Sequence, residues 1–304
     1  MTPIIIKVTP QKMKQLQMAY ATHLINNKVP YTNFVAKVNQ TTITAYTSGK
    51  VMFQGAHAEK EAQRWGNFTK NSPNKKATTT TLPPDFAQKS IIGSDEVGNG
   101  SYFGPLVVCS VYAHSSQLKV LKQLGVKDSK LLTDSQIKKL APQIMELVPY
   151  QKLVVTPSKY NQIQPTYNAV RMKVALHNQA IYLLEKKIAP EKPDGILIDQ
   201  FTPEANYRKH LAAEKNQVTE NLYFITKGEQ YHLAVAAASI LCRASFLSEL
   251  EQASAEVGFT LPSGAGAKSD TIAAKILKQG GLELLGQYAK LHFANTEKAQ
   301  KLCR

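Results

Sequence analysis

Residues 91–112 read IIGSDEVGNGSYFGPLVVCSVY, and this stretch decides how the rest of the chain is interpreted. The apolar run Ile91–Gly93 leads into an acidic pair, and the apolar run Leu106–Tyr112 follows a glycine-rich loop. Short apolar runs bounded by glycine and proline predict buried strands. The acidic pair, Asp95 and Glu96, is therefore predicted to lie at the end of a strand.

Downstream of this stretch, predicted helices alternate with predicted strands. Apolar periodicity predicts helices at Gln136–Leu147, Tyr167–Lys187 and Leu233–Leu250, and strands at Gly195–Ile198 and Leu222–Ile225. Such alternation predicts an α/β domain at residues 90–304, in which a mixed sheet is flanked by helices on both faces.

The first 66 residues form a second, smaller predicted domain with the order β-α-β-β-β-α and a curved sheet covered by helices on one face. Its strands are expected at Pro3–Val8, Tyr31–Val38, Thr41–Tyr46 and Val51–Gln54, and its helices at Gln11–Asn26 and Ala56–Trp65. Residues 67–89 are rich in threonine, proline and lysine without apolar periodicity, which predicts a linker between the two domains.

The chain is strongly basic, with 37 basic and 22 acidic residues among 304 and a net charge of +15. Residues 1–66 contain eight basic and two acidic residues, a net +6. This balance favours a polyanionic partner and indicates that the small domain binds nucleic acid. The alternatives are a charge that only maintains solubility and a small domain that only packs.

Composition also bears on location. The sequence contains no apolar run near the ~20 residues that a membrane span needs, and Lys7 interrupts the apolar start, so no signal peptide is predicted. Cys109, Cys242 and Cys303 are scattered without metal-ligand spacing, which fits a reducing cytoplasm. We expect a cytoplasmic monomer without membrane association.

Four acidic residues are predicted at the ends of strands. Asp95 and Glu96 end the first, Asp199 ends GILID, and Glu229 follows YFITKG. A single acid at a strand end is more commonly a turn or a helix cap. Four convergent carboxylates would repel one another unless hard cations such as Mg²⁺ neutralised them, and two such ions ~3.5–4 Å apart can clamp a phosphodiester. The set therefore favours a metal site.

Several motifs resemble those of the bacterial type 2 ribonucleases H. They are GSDEVGNGSYFGPLVV (Gly93–Val108), VKDSKLLTD (Val126–Asp134), GILIDQF (Gly195–Phe201) and TKGEQYHLAVAAASILCR (Thr226–Arg243). Three more resemble the ribonuclease HIII branch: KVALHNQAI (Lys173–Ile181), LPSGAGAKSD (Leu261–Asp270) and TSGKVMFQG (Thr47–Gly55). The last is similar to the TATA-binding-protein-like domain of that branch.

The resemblance implies a ribonuclease H fold and endonucleolytic cleavage of RNA in RNA–DNA hybrids, leaving 5′-phosphate and 3′-hydroxyl ends. It implies that Asp95, Glu96, Asp199 and Glu229 are the catalytic metal ligands and hold two Mg²⁺, with Mn²⁺ as a substitute. One ion would activate the attacking water and the other would stabilise the leaving 3′-oxygen. Glutamate at the last position resembles ribonuclease HIII, because HII enzymes have aspartate there.

The resemblance also implies substrate contacts. The loop Gly98-Asn99-Gly100 is expected to read ribose 2′-hydroxyls, where HII enzymes have Gly-Arg-Gly. Ser129 and Lys130 belong to a motif near the substrate, and Lys130 is either a phosphate contact or a solvated surface lysine. An RNA–DNA hybrid duplex is the expected partner.

Several interpretations stay open at this point. The loop Gly264–Gly266 is either a phosphate cradle or a plain turn, and core or surface roles outweigh catalysis for His177 and His232. Within the family, the alternative is an HII-like enzyme that cuts single embedded ribonucleotides. Outside it, the alternatives are a non-catalytic hybrid-binding protein and a DNA-processing enzyme such as an integrase.

Overall fold

The structure, a computed structural model, describes residues 3–25, 32–66 and 82–303. The chain divides into two compact units, Met1–Thr79 and Thr80–Arg304. Each unit has a hydrophobic core of its own. Most of the predicted linker, residues 67–81, lies outside the described residues.

The smaller unit is a four-stranded antiparallel sheet with the strand order β1-β4-β3-β2. Its strands are β1 (Ile4–Lys7), β2 (Thr32–Val38), β3 (Thr41–Tyr46) and β4 (Lys50–Gly55), and its helices are α1 (Pro10–Ala19) and α2 (Ala58–Gln63). The predicted order of elements is confirmed. The predicted helix Gln11–Asn26 was too long, because Tyr20 leaves helical geometry and buries its ring in the core.

Both helices of the smaller unit cover the same face of its sheet. Alternate strand residues such as Phe34, Ile43 and Phe53 are buried with Met13 and Leu16 of α1 in one cluster. The period of two follows from the pleat of a strand, which points successive side chains to opposite faces. The other face of the sheet therefore carries the intervening side chains.

The larger unit is built on a five-stranded mixed sheet with the order β7-β6-β5-β8-β9. The strands are β5 (Ile91–Val97), β6 (Leu106–Ala113), β7 (Tyr150–Val155), β8 (Gly195–Asp199) and β9 (Leu222–Ile225). β5, β8 and β9 run parallel, and β6 is antiparallel to both β5 and β7. The predicted mixed sheet is confirmed, with β7 as an additional edge strand.

Helices cover both faces of this sheet, as predicted. They are α3 (Leu118–Gln123), α4 (Asp134–Leu147), α5 (Pro157–Ile163), α6 (Ala169–Ile188), α7 (Glu204–Leu211), α8 (Leu233–Val257), α9 (Ala267–Tyr288) and α10 (Ala294–Leu302). α8 and α6 both pack on β5 and β6, from opposite sides. α9 is interrupted at Gly280 and Gly281, which leave helical geometry.

α8 is the central helix of the larger unit. It is long and apolar enough to cross a membrane, but 72% of its apolar window is buried inside the unit, as in a core helix. A Cβ on Gly93 would lie 2.3 Å from the backbone nitrogen of Val235, so only glycine allows β5 to approach α8 this closely. This contact fixes the strand that carries the acidic pair.

The C-terminal end of the predicted linker belongs to the larger unit. Phe86 is buried in the core of that unit, where its ring packs edge-on against Tyr223. His232 caps the start of α8 through Nδ1, which accepts from the Ala234 N–H, and its Nε2 donates to the carbonyl of Lys89 over 3.1 Å. Residues 82–89 therefore pack on the larger unit, because the Phe86 ring is buried in its core and His232 hydrogen-bonds the Lys89 carbonyl.

Candidate metal centre

Sheet register brings the strands that carry the acids together. Ser94 of β5 lies opposite Ile198 of the parallel strand β8, so Asp95 and Asp199 follow side by side. Asp199 Oδ1 accepts a hydrogen bond of 2.9 Å from the N–H of Gly228. That bond fixes the short 3₁₀ turn Gly228–Gln230, which carries Glu229.

Asp95 is buried on the side of the sheet that faces α8. Its Oδ1 accepts from the Glu96 N–H over 2.7 Å, and its carboxyl is also hydrogen-bonded by the Ser239 hydroxyl. Burial, followed by the charges of Asp199 and Glu96, raises the pKa of Asp95 to about 8. A carboxylate in this position is thus costly to ionise until a positive charge arrives.

Glu96 points to the other side of the sheet, because successive strand residues alternate. Lys173 Nζ donates to Glu96 Oε1 over 2.7 Å, and His177 Nε2 donates to Oε2 over 2.9 Å. Burial alone would raise the pKa of Glu96, but the hydrogen bonds and charges of His177 and Lys173 outweigh it and lower that pKa. Glu96 therefore stays ionised.

Among the described residues, Glu214 and Glu229 each have a buried carboxylate oxygen without a hydrogen bond, and the one in the candidate site is Glu229. Its Oε1 is buried and receives no hydrogen bond from the part of the chain that the structure describes. Lys130 Nζ lies 3.6 Å away, and 75% of its side chain is exposed against 4% for Glu229. Partial burial would lower the pKa of Lys130, but the carboxylates of Glu229, Asp128, Asp199 and Asp95 raise it.

The donor set fits hard divalent cations. All four side chains offer carboxylate oxygens, which Mg²⁺ and Mn²⁺ prefer, and the buried Glu229 oxygen has no hydrogen bond from any described residue, so it is free to bind a metal ion. Among the described residues, no three histidine, cysteine or acidic side chains already form a metal cage.

The glycine loop after β5 is presented to solvent. Asn99 and Gly100 are exposed, and Gly98 has a φ of +98°. A Cβ on Gly98 would lie 2.0 Å from the carbonyl oxygen of Pro105, so the loop requires glycine at this position. The predicted substrate loop thus lies next to the acids with its backbone accessible.

The loop Gly264–Gly266 is tied to the residues that follow the glycine loop. Gly264 N–H donates to Ser101 Oγ over 2.9 Å, and Tyr102 N–H donates to the Gly264 carbonyl over 3.0 Å. These two hydrogen bonds join the loops to each other, although Ser101 and Gly264 lie more than 160 residues apart in the sequence.

Ser129 and Lys130 occupy different environments. Ser129 is buried and its hydroxyl lies 2.8 Å from that of Ser239, the residue that hydrogen-bonds Asp95. Ser129 is thus connected to Asp95 through Ser239, whereas Lys130 faces solvent beside Glu229. Sequence reasoning placed both near the substrate and did not separate these two positions.

Sequence reasoning missed the contacts of Lys173 and His177. His177 is fully buried, as a core residue would be, yet it hydrogen-bonds an acid of the site. The signal was present in KVALHNQAI, because residues four apart lie on one face of a helix. What that face contacts could not be read from the spacing.

The chain is similar to known proteins over nearly its whole length. The model of the family "Ribonuclease HII" matches residues 92–296, and "Domain of unknown function (DUF3378)" matches residues 3–78. Ribonuclease HIII of Enterococcus faecalis is 65% identical over 300 residues, covering 98% of this chain and 98% of that protein. Ribonuclease HIII of Lactococcus lactis subsp. cremoris is 48% identical over 302 residues, covering 99% of each chain.

A solved structure extends the likeness to both units. Bst-RNase HIII in complex with Mn²⁺ has a TM-score of 0.71 and 40% sequence identity, covering 100% of this chain and 99% of that one. The family model covers more than half of the chain, and the relatives cover nearly all of it. The chain therefore belongs to the ribonuclease HII family, in its ribonuclease HIII branch.

Proposed function

We propose that this protein is an endoribonuclease that hydrolyses the RNA strand of RNA–DNA hybrids and leaves 5′-phosphate and 3′-hydroxyl ends. The names of its relatives support this activity. The observation that carries the assignment to a site is the buried Glu229 oxygen, which receives no hydrogen bond from the described residues and lies in the turn that Asp199 holds through the Gly228 N–H.

Asp95, Glu96, Asp199 and Glu229 would hold two divalent cations, Mg²⁺ or, as in the Bst-RNase HIII structure, Mn²⁺. When bound, such ions activate water for attack on phosphate and neutralise charge on the leaving oxygen. The protein's part is orientation: the Glu96 amide and Ser239 hold Asp95, and the Gly228 amide holds Asp199. Lys130 is exposed beside Glu229, where it can meet a phosphate of the substrate.

Selectivity for RNA is assigned to the loop Gly98-Asn99-Gly100. Glycine lets a ribose approach the backbone closely, and peptide groups can hydrogen-bond 2′-hydroxyls. The hydrogen bond from the Gly264 N–H to Ser101 Oγ joins this loop to the loop Gly264–Gly266. The exposed peptide groups are thereby held in a fixed position. We expect the Gly264–Gly266 loop to act through this hydrogen bond.

Residues 1–66 are assigned to substrate binding, residues 67–89 to the linker, whose end at residues 82–89 packs on the larger unit, and residues 90–304 to catalysis. The face of the small sheet without helices carries Lys7 and Lys50, which pair across β1 and β4, together with Lys37. Exposed Ile5 lies on the same face. Basic side chains beside an exposed apolar side chain suit contacts with phosphates and sugars of a duplex. We also propose that the protein is a cytoplasmic monomer that acts away from membranes.

The test is cleavage of matched RNA–DNA, RNA–RNA and DNA–DNA duplexes of one sequence with Mg²⁺, with Mn²⁺ and with a chelator. We expect metal-dependent cleavage of the RNA strand of the hybrid alone. Binding without cleavage would favour the hybrid-binding alternative, and cleavage of the DNA duplex would favour a DNA-processing enzyme. Either result would overturn the proposal.

A further inference from the structure

The carboxylate of Glu96 is held by two side chains of α6. Lys173 Nζ reaches Oε1 over 2.7 Å and His177 Nε2 reaches Oε2 over 2.9 Å, so each oxygen has its own donor. The two donors lie one helical turn apart and therefore share a face of α6. Rotation of the carboxylate would break both hydrogen bonds.

The two donors are themselves held in place. Ser94 Oγ lies 2.7 Å from His177 Nδ1, and the Ser110 hydroxyl donates to Ser94 Oγ over 3.0 Å. The ring of Phe201 stacks on His177 at 5.0 Å between centroids and lies 4.0 Å from Lys173 Nζ. The histidine is thus fixed through both nitrogens and one face of its ring.

Packing alone does not explain why Lys173 and His177 are buried against Glu96. Lys173 and His177 are both buried, and burying such polar groups costs free energy unless they are fully paired. An apolar pair would fill the same space, and replacement of buried ion pairs by apolar residues is often neutral or stabilising. The two donors therefore point to a task at Glu96.

Accepting these hydrogen bonds does not prevent Glu96 from binding a metal ion. An ionised carboxylate has about four lone-pair sites on its two oxygens, and Lys173 and His177 use one on each. Donors behind a ligand commonly orient it, and their loss typically costs about 10- to 100-fold in metal affinity or activity.

We propose that Lys173 and His177 are positioning residues that hold the Glu96 carboxylate in one orientation for a divalent cation. The inference rests on the proposed function, because it takes Glu96 to be a metal ligand. Lys173 also supplies a positive charge beside the acids, so its replacement changes charge and contact together. His177 gives the cleaner test.

The experiment compares His177→Gln with His177→Asn in the full-length protein. A glutamine amide reaches the position of Nε2 and can still donate to Glu96, whereas an asparagine amide reaches only the position of Nδ1, next to Ser94. Both variants remove the ring and its stacking on Phe201, so a merely structural role predicts equal effects. Mn²⁺ binding is measured by the loss of the free-ion EPR signal, alongside kcat and KM with Mg²⁺.

We expect His177→Asn to bind Mn²⁺ about 10-fold more weakly and to lose kcat by at least as much, with KM for the hybrid little changed. His177→Gln should recover most of both. Equal Mn²⁺ affinity and kcat in the two variants would overturn the proposal, whether both matched the parent or both fell.

Lys173 provides a second test that does not depend on the folding of the His177 variants. At saturating Mg²⁺, Lys173→Met should lower kcat about 10-fold or more. The control is Lys186→Met, which removes a lysine that also lies over an aromatic ring on the same helix. Equal kcat in both lysine variants would contradict the inference, while loss of activity in Asp95→Asn would show that the proposed function still stands.

Discussion

Glu61 in the smaller unit and Glu229 in the larger unit are both buried, but they differ in their hydrogen bonds. Glu61 of the smaller unit accepts from the Tyr20 hydroxyl over 2.8 Å, from Asn39 over 3.3 Å and from Arg64 over 3.3 Å. Glu229 of the larger unit is buried to a similar degree, yet its Oε1 has no hydrogen-bond donor within the described ranges. The two residues have the same side chain and similar burial, so their hydrogen-bond partners are what distinguishes them.

We propose that this difference separates a structural acid from a metal-binding one. A buried polar group without a partner costs about 1–3 kcal/mol, so its persistence needs an explanation other than stability. Glu61 needs none, because its neighbours neutralise and hydrogen-bond it. Glu229 lies in the turn that Asp199 holds, and burial followed by the charges of Asp199 and Glu96 raises the pKa of Asp95 to about 8. A cation bound among these acids would relieve both Glu229 and Asp95.

The largest expected effect is on turnover in the larger unit. Asp95→Asn keeps the shape of the side chain but removes its charge, so cations lose a ligand that a neutral amide cannot replace. Because metal ions supply several kcal/mol of transition-state stabilisation, we expect kcat to fall by about 1000-fold or more while hybrid binding survives. Steady-state kinetics at millimolar Mg²⁺ and a gel-shift assay measure the two quantities. Substantial activity in this variant would remove Asp95 from the site.

The second prediction concerns the smaller unit. Deleting residues 1–66 removes a net charge of +6 and should weaken hybrid binding far more than it slows cleavage at saturation. We expect affinity to fall by about 10- to 100-fold. The log–log salt dependence should flatten by roughly 0.9 for each phosphate that the protein no longer neutralises, taking the value for B-form duplex. An unchanged affinity and salt slope would show that this unit does not bind nucleic acid.

The third prediction concerns substrate choice by the loop Gly98–Gly100. Asn99 provides no long cationic side chain, so recognition through peptide groups should need several successive 2′-hydroxyls. We expect kcat/KM with Mg²⁺ to be about 10-fold higher on a duplex with four ribonucleotides than on one with a single ribonucleotide, ~1.4 kcal/mol. Values within about threefold of each other would contradict this interpretation and favour an HII-like activity.

The smallest effect is expected at the structural glutamate. Tyr20→Phe removes the hydroxyl that donates to Glu61 and accepts from Trp65 Nε1 over 2.6 Å. Leaving these groups unpaired should destabilise the smaller unit by about 1–3 kcal/mol without changing kcat. Chemical denaturation followed by Trp65 fluorescence measures it, with Tyr46→Phe on the opposite face of the sheet as the matched control. Equal stability in the two variants would show that the Glu61 contacts contribute little.

Local sequence patterns predicted the mixed sheet well, because strands, their ends and their burial are encoded by nearby residues. The four acids were chosen because each follows a short apolar run, and their role as metal ligands stays a prediction. Contacts between distant segments were not predictable in the same way. The bonds between Ser101 and Gly264, and between Glu96 and His177, depend on which faces the fold brings together.

Two further misses have similar causes. β7 was missed because edge strands are half-buried and show no continuous apolar run, as in YQKLVV at Tyr150–Val155. The packing of Phe86 was missed because this lone aromatic among polar residues inserts into a core assembled from remote segments. A single buried side chain leaves no periodic signal.

We propose that Glu229 and the acids around it in the larger unit hold divalent cations, whereas the fully hydrogen-bonded Glu61 of the smaller unit does not. The most direct measurement is Mn²⁺ binding by EPR to the parent protein and to the matched variants Glu229→Gln and Glu61→Gln. We predict that Glu61→Gln binds Mn²⁺ with the parent's stoichiometry and affinity, whereas Glu229→Gln binds it at least about 10-fold more weakly. Parent-like binding by Glu229→Gln, or equal losses in both variants, would contradict the account.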